Sequence, residues 1–412
     1  MSSYATKGKN LFAHATGHLE EQFDEFEMEF SDDEEDGETK TTTSGGAMSF
    51  GVVEEQAVQS QAIKPFIGAI FPPSNSATPS NAAPTSTLSL EYVFGYCKKT
   101  RSDVFSLGGG RTFWPAASVG VIHDSRNAGA SSQSHLIGHR DEITAAAQSS
   151  ASHNLERIAT GSSQLTRKHE YPTTILWDTA AGTQMGTYQS KNLKRQVDAL
   201  AFDASGQYIF AAGAGNKHNI VCYHVQDGEQ AYISSGSSRV LAMDYDTSTN
   251  SLVVGGVKSL QFIPFANGSF GDPQRVGADT IISVTSSGNT TYCGGSNGTI
   301  VSYTEGTKTN ALKAHKGGVY SIAVNANGTK VASGGKKGTV TLWNASNGRL
   351  TKVRAFTLQL SVPAKGLTFD GSGDLVVGSK AGRVVRVSTT GGSGSEIVLG
   401  SGHCDGETWG LA

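Results

Sequence analysis

The chain has 412 residues, 33 Lys+Arg against 36 Asp+Glu, 51 glycines, 10 prolines and four cysteines. That length admits one large domain or two small ones. No run is apolar enough for a transmembrane helix, and the first 20 residues lack the continuous apolar core of a signal peptide. Cys97, Cys222, Cys293 and Cys404 include no CxxC pair, which argues against a zinc ribbon and predicts a reduced, intracellular chain without disulfides.

Residues 1–62 are poor in apolar side chains and read as a disordered acidic N-terminal region. Within it, residues 20–38 (EEQFDEFEMEFSDDEEDGE) hold 12 acids and no base. The rest of the chain therefore sets 33 Lys+Arg against 24 Asp+Glu, about +9. Leu19, Phe23, Phe26 and Phe30 fall on one face of a helix, the pattern of a transient amphipathic helix or a partner-docking one. Ser31, followed by DDEED, fits an acid-seeking kinase. The acidic segment is also expected to compete for a basic surface elsewhere on the chain or to recruit a further factor.

Residues 64–75, KPFIGAIFPPSN, form an apolar knot of Phe66, Ile67, Ile70 and Phe71, too short to span a membrane. After a Ser/Thr/Ala/Pro-rich spacer, LSLEYVFGY (88–96) alternates at the period of a strand, and DVFSLGGGRTFWPAASVGVIHD (103–124) reads as a Gly hairpin and a further strand pair. Together these predict a three-stranded blade.

From about residue 135 the chain repeats. KAHKGGVYSIAVNANGTKVASGGKKGTVTLWNASNGRL (313–350) is the fullest unit, with a Gly/His entry and three strands, the last ending Leu-Trp-Asn. Equivalent strand-end positions are Trp177, Tyr223, Phe262, Tyr303, Trp343 and Val387, at gaps of 46, 39, 41, 40 and 44 residues. A period near 40 with Gly-His at one end and Trp-Asp at the other is the WD40 signature. Each unit is a four-stranded blade that cannot cover both faces alone, and radial stacking covers them. The expected fold is all-β, a seven-bladed WD40-type β-propeller behind a disordered tail. Its boundaries are 1–62 for the tail, 63–124 for the hydrophobic motif and first blade, and 135–400 for six WD40-like blades. Residues 401–412 (SGHCDGETWGLA) read either as a closing strand or as the start of a second propeller cut at Ala412. His139, His315, Trp177, Asp178 and Trp343 are assigned structural roles within their blades. The aspartate expected in the turn before the Trp343 strand is Lys337, so that polar network is read as incomplete.

The apolar knot, the spacer, LEYVFGY, the Gly-hinged hairpin to ASVGVIHD, and the stretches HLIGHRDEITAAAQ and SGHCDGETWGLA resemble the echinoderm microtubule-associated protein-like family over about residues 63–412. The resemblance implies that Phe66, Ile67, Ile70 and Phe71 pack with the propeller, as part of the fold. It further implies a cytoplasmic, cytoskeletal protein that binds tubulin or microtubules, with the cilium or axoneme as one setting. Residues 1–62 lack the heptads of the oligomerising coiled coil that some relatives carry.

No phosphate loop, nucleophile elbow or metal-spaced His/Cys/Asp/Glu set is present. No catalytic residue, cofactor or metal is assigned, and no nucleic-acid or membrane partner is expected. What remains is a surface. In such a ring the loops between blades and the turns before each third strand lie at one end. Those positions carry Lys191, Lys194, Arg195, Lys217, Arg239, Lys258, Lys313, Lys316, Lys336, Lys337, Lys365, Lys380 and Arg383, against Asp141 and Glu142. A single-sign end suits an acidic polymer. The alternative is a generic WD40 adaptor for signalling or ubiquitin-transfer complexes.

Overall fold

The computed structural model describes residues 88–402, apart from Lys98, 150–155, 165–169, Ala278 and 391–395. The acidic lead, Ser31, the knot containing Phe66, Ile67, Ile70 and Phe71, and the terminal stretch from Cys404 onward lie outside the described residues.

The described residues build seven antiparallel sheets whose strands follow chain order. The blades span 105–137, 143–189, 197–234, 240–277, 281–313, 319–357 and 364–400. Third strands such as Thr173–Asp178 (TTILWD), Asn219–His224 (NIVCYH) and Thr299–Thr304 (TIVSYT) are buried along their middles on both faces, because a blade is covered from either side. Their β-branched and aromatic content matches that environment. Fourth strands lie on the rim, and Thr183–Gln189 and Thr307–Lys313 are mostly exposed.

The Gly-rich ends of the second strands have a packing cause. A Cβ on Gly161 would sit 2.6 Å from Cβ of Val197, and one on Gly255 would sit 2.6 Å from Cγ2 of Ile281. Val197 and Ile281 each begin the next blade's first strand. The next blade therefore seats its first residue where this one lacks a side chain. Hydroxyls bridge the same joints: Thr144 donates to the Val197 carbonyl at 2.7 Å, Ser283 to Val319 at 2.8 Å and Ser321 to Ala364 at 2.8 Å.

The six strand-end positions read from the period all fall in third strands and are buried. In blade 2, Trp177 Nε1 donates to Thr160 Oγ1 at 2.7 Å, and His139 Nε2 meets the same hydroxyl at 2.7 Å. In blade 6, Trp343 and His315 converge on Ser333 Oγ, both at 2.9 Å. The Trp–hydroxyl–His contact thus forms although Lys337 replaces the expected aspartate. Burial pushes both histidines down to about 4, so they sit neutral in the fold. Asp178 accepts from the amides of Ala180 and Ala181 at 2.9 and 3.0 Å, closing the turn to the fourth strand.

Blade 1 departs from the three-stranded expectation. It has four strands, Phe105–Gly108, Arg111–Ala116, Val119–Asp124 and Gln133–Ile137, so its outer strand lies beyond residue 124. By register, His123 occupies the position of Trp177, and Asp124 that of Asp178. With the ladder complete, 88–97 joins no sheet, and Leu88, Leu90 and Phe94 stay exposed.

Instead, residues 93–104 strap the seam between blades 7 and 1. The Gly95 amide donates to the Ser401 carbonyl at 2.9 Å, the Cys97 amide to Pro115 at 2.9 Å, and the Ser102 amide to Lys365 at 2.8 Å. Tyr96 and Val104 pack with Trp114, Val121, Val376 and Val384. The Tyr96 hydroxyl donates to Asp103 at 2.6 Å, and Thr100 donates to the other carboxylate oxygen. Burial raises Asp103 to about 6, although the neighbouring Lys365 charge and both hydroxyls favour its ionised form.

Candidate functional site: the basic end of the ring

Because the four strands of a blade alternate in direction, two sets of connections share each end of the ring. One end collects the turns between second and third strands and the loops from each fourth strand to the next blade. The cations predicted for that end do fall in those connections, or at the strand end beside them, with one correction. Lys365 is the second residue of the strand Ala364–Phe369 and is 3% exposed, so it faces the seam and not the surface.

Arg239 also behaves differently from the lysines. Its guanidinium forks onto Asp198 at 3.0 and 2.9 Å, and the Asp198 side chain is 4% exposed. That charge is committed to joining blade 3 to blade 4. Lys380 and Arg383 share the turn of blade 7 and are partly buried. The remaining predicted cations, Lys191, Lys194, Arg195, Lys217, Lys258, Lys313, Lys316, Lys336 and Lys337, are exposed. They come from blades 3 to 6 and the loops leading into them. Among the described residues, Lys191, Arg195, Lys217, Lys258, Lys316 and Lys337 form no ion pair.

Local contacts shape the turns that carry them. Arg195 and Lys258 lie in left-handed conformations, with φ of 66° and 50°. The Lys313 ammonium donates to the Asn297 carbonyl, and Arg275 donates to the Lys258 carbonyl at 2.5 Å. In both cases the end of a fourth strand is tied to its own blade's second turn. Lys194 lies 4.7 Å from the centre of the Tyr171 ring.

Several charges at this end were not expected from the sequence. Arg275 adds to the basic set, while Asp279, in the loop before blade 5, is an exposed acid within it. On the blade 1–2 side, Lys99 pairs with Glu142 at 2.9 Å and Arg140 lies 3.9 Å from Glu170. The positive charge is thus an arc over blades 3 to 6, interrupted by a mixed sector. Neither the pairing of Arg239 nor that of Lys99 has a local sequence signal, since the partners lie 41 and 43 residues away.

At the opposite end the carboxylates serve the turns. Asp203 accepts from the Tyr208 amide at 2.8 Å, Asp246 from Ser248 at 2.9 Å, and Asp370 from Ser372 at 2.8 Å. Arg386 spans Asp370 and Asp374 at 3.0 and 3.3 Å, and Arg111 pairs with Glu156 at 2.5 Å. No group of three His, Cys, Asp or Glu side chains among the described residues could hold a metal ion. Burial pushes the Cys97 and Cys222 thiols up to about 11 and about 12, so neither carries a thiolate near neutral pH.

Several known proteins are similar to this chain. The family described as "WD domain, G-beta repeat" matches residues 306–344, which contain His315 and Trp343. A ciliary WD repeat-containing protein, ctxp80, of Euplotoides octocarinatus is 27% identical over 86% of this chain and 50% of its own. Echinoderm microtubule-associated protein-like 1 of Mus musculus is 28% identical over 80% of this chain and 41% of its own. Echinoderm microtubule-associated protein-like 2 of Rattus norvegicus is 25% identical over 82% and 53%. The chain is a relative of the echinoderm microtubule-associated protein-like proteins. It spans about half the length of these curated relatives. A chain from the crystal structure of a mitotic checkpoint complex superposes with a TM-score of 0.56 at 13% identity, over 75% of this chain and 98% of its own, a likeness of fold alone.

Proposed function

We propose that this chain is a non-catalytic, microtubule-associated propeller of the cytoskeleton that engages tubulin through the basic end of its ring. The observation that carries the reading is the arc of exposed lysines over blades 3 to 6 in a relative of microtubule-associated proteins. Microtubules present acidic surfaces and acidic tails, and a one-sign arc attracts such a polymer through many weak contacts. Similarity to a ciliary WD repeat-containing protein supports the cilium as one setting.

Co-sedimentation of the full chain with stabilised microtubules, at low and moderate salt, tests this directly. The expected result is pelleting that weakens as salt rises, because exposed charges are screened over about 8–10 Å near physiological ionic strength. Failure to pellet at any salt concentration rules out direct lattice binding and moves the adaptor reading forward.

A further inference from the structure

Building on the tubulin-binding reading, we infer that what the basic arc grips is an extended, glutamate-rich chain lying along blades 3 to 6, and not a folded acidic face covering the whole end. The charge distribution carries this. A ligand spread over the entire end would set carboxylates against the mixed sector of blades 1 and 2, where Asp141 is exposed in part and Lys99 and Arg140 already face Glu142 and Glu170. A ligand following the arc meets Lys217 of blade 3, Lys258 of blade 4, Lys313 at the end of blade 5, and Lys316 and Lys337 in the entry loop and turn of blade 6. Among the described acids, exposed Asp279 opposes it before blade 5, and Glu229 reaches the blade 3 entry loop through Asn192 at 2.8 Å.

Spacing gives the length. Neighbouring sheets pack about 10 Å apart, so the arc runs on the order of 30 Å from blade 3 to blade 6. An extended chain advances about 3.3 Å per residue, so about nine residues span it with a charge at every step. A helical acidic segment of the same length covers only about half that distance.

The chemistry favours carboxylate over phosphate. The arc cations without an ion pair among the described residues are lysines apart from Arg195 and Arg275, the latter donating to the Lys258 carbonyl, and the forked arginine, Arg239, is already committed to Asp198. The aromatic ring at the arc's edge, Tyr171, lies against Lys194 instead of offering a stacking face for bases.

The test uses the full chain and a fluorescein-labelled decaglutamate peptide, read by anisotropy at two salt concentrations. Binding is expected to be salt-sensitive and to weaken about 3- to 10-fold in each of Lys217→Glu, Lys258→Glu, Lys316→Glu and Lys337→Glu, whereas Arg140→Glu changes it less than about twofold. Equal loss in Arg140→Glu overturns the arc. So does tighter binding of a single-stranded oligothymidylate of equal charge, which assigns the surface to nucleic acid. Undiminished pelleting with tail-cleaved microtubules, together with no peptide binding, overturns the extended-chain inference while leaving tubulin binding intact. Loss of pelleting with both intact and cleaved polymer, together with retained peptide binding, supports the arc and removes the tubulin reading instead.

Discussion

The basic arc of blades 3 to 6 and the seam between blades 7 and 1 hold charge in opposite ways. On the arc, Lys191, Lys217, Lys258, Lys316 and Lys337 are exposed and form no ion pair among the described residues, so their ammonium groups contribute little to holding the ring. At the seam, Asp103 is fully buried with Tyr96, Thr100 and Lys365 around it, and the strap it orders closes the ring. Exposed charge leaves the fold indifferent and is available to a partner. Buried charge is costly to desolvate and is retained where geometry satisfies it. Substitutions at the two places should therefore separate stability from binding.

The largest effect is expected at the seam. A Cβ on Gly378 would lie 2.6 Å from Cζ of Tyr96, inside any tolerated contact. Gly378→Ala should cost about 2–3 kcal/mol in urea unfolding by forcing the ring of Tyr96 off its site. A loss under about 0.5 kcal/mol would mean that the strap yields easily and does not latch the ring.

Arg239 sharpens the contrast, because it sits at the basic end yet is paired like a seam residue. Arg239→Met leaves the Asp198 carboxylate buried without its partner. The loss should be about 2 kcal/mol, below the roughly 3–5 for a fully buried pair, because the Arg239 side chain is 41% exposed. If its unfolding midpoint matches wild type, Arg239 belongs with the free lysines after all.

The pH dependence carries two opposing signs. Asp103 titrates at about 6 in the fold, above its unfolded value of about 3.9, so the folded state binds its proton more tightly. Its contribution to stability is therefore full below about pH 4 and declines as pH rises to about 6. Asp244, also raised to about 6 by burial, acts in the same sense. His139 and His315, lowered to about 4, act the other way, and stability is lost as pH falls from about 6.5 to about 4. Asp103→Asn should remove one declining component, so its stability relative to wild type rises between pH 4 and 6 and is flat above. Denaturation midpoints across that range would show this, and a pH-independent difference would place Asp103 in a solvated setting.

The smallest effect on the fold belongs to the arc. Lys336→Glu with Lys337→Glu should move stability by no more than about 0.5 kcal/mol.

Much of the ring was legible because the repeat has physical causes that act locally. The third-strand position recurs from Trp177 to Val387 because each blade needs a bulky residue there, and the second-strand glycines recur because the next blade seats against them. Blade 1 was harder to read. His123 stands where tryptophan was the marker, and the alternation of 88–96 describes an amphipathic strand without saying whether a ladder is open to receive it. Turn positions of the lysines followed from strand order alone. The fate of each charge did not, because Arg239 meets Asp198 across a blade joint, and Lys365, expected in a connection, is the second residue of the strand Ala364–Phe369.

The most direct measurement of the central claim pairs microtubule co-sedimentation with thermal unfolding of the Lys336→Glu, Lys337→Glu double variant, made in the full chain. Pelleting about tenfold weaker at low salt, with an unchanged unfolding midpoint, is expected. Unchanged affinity in a stably folded variant would contradict that expectation, and would put the tubulin contact somewhere other than the basic end.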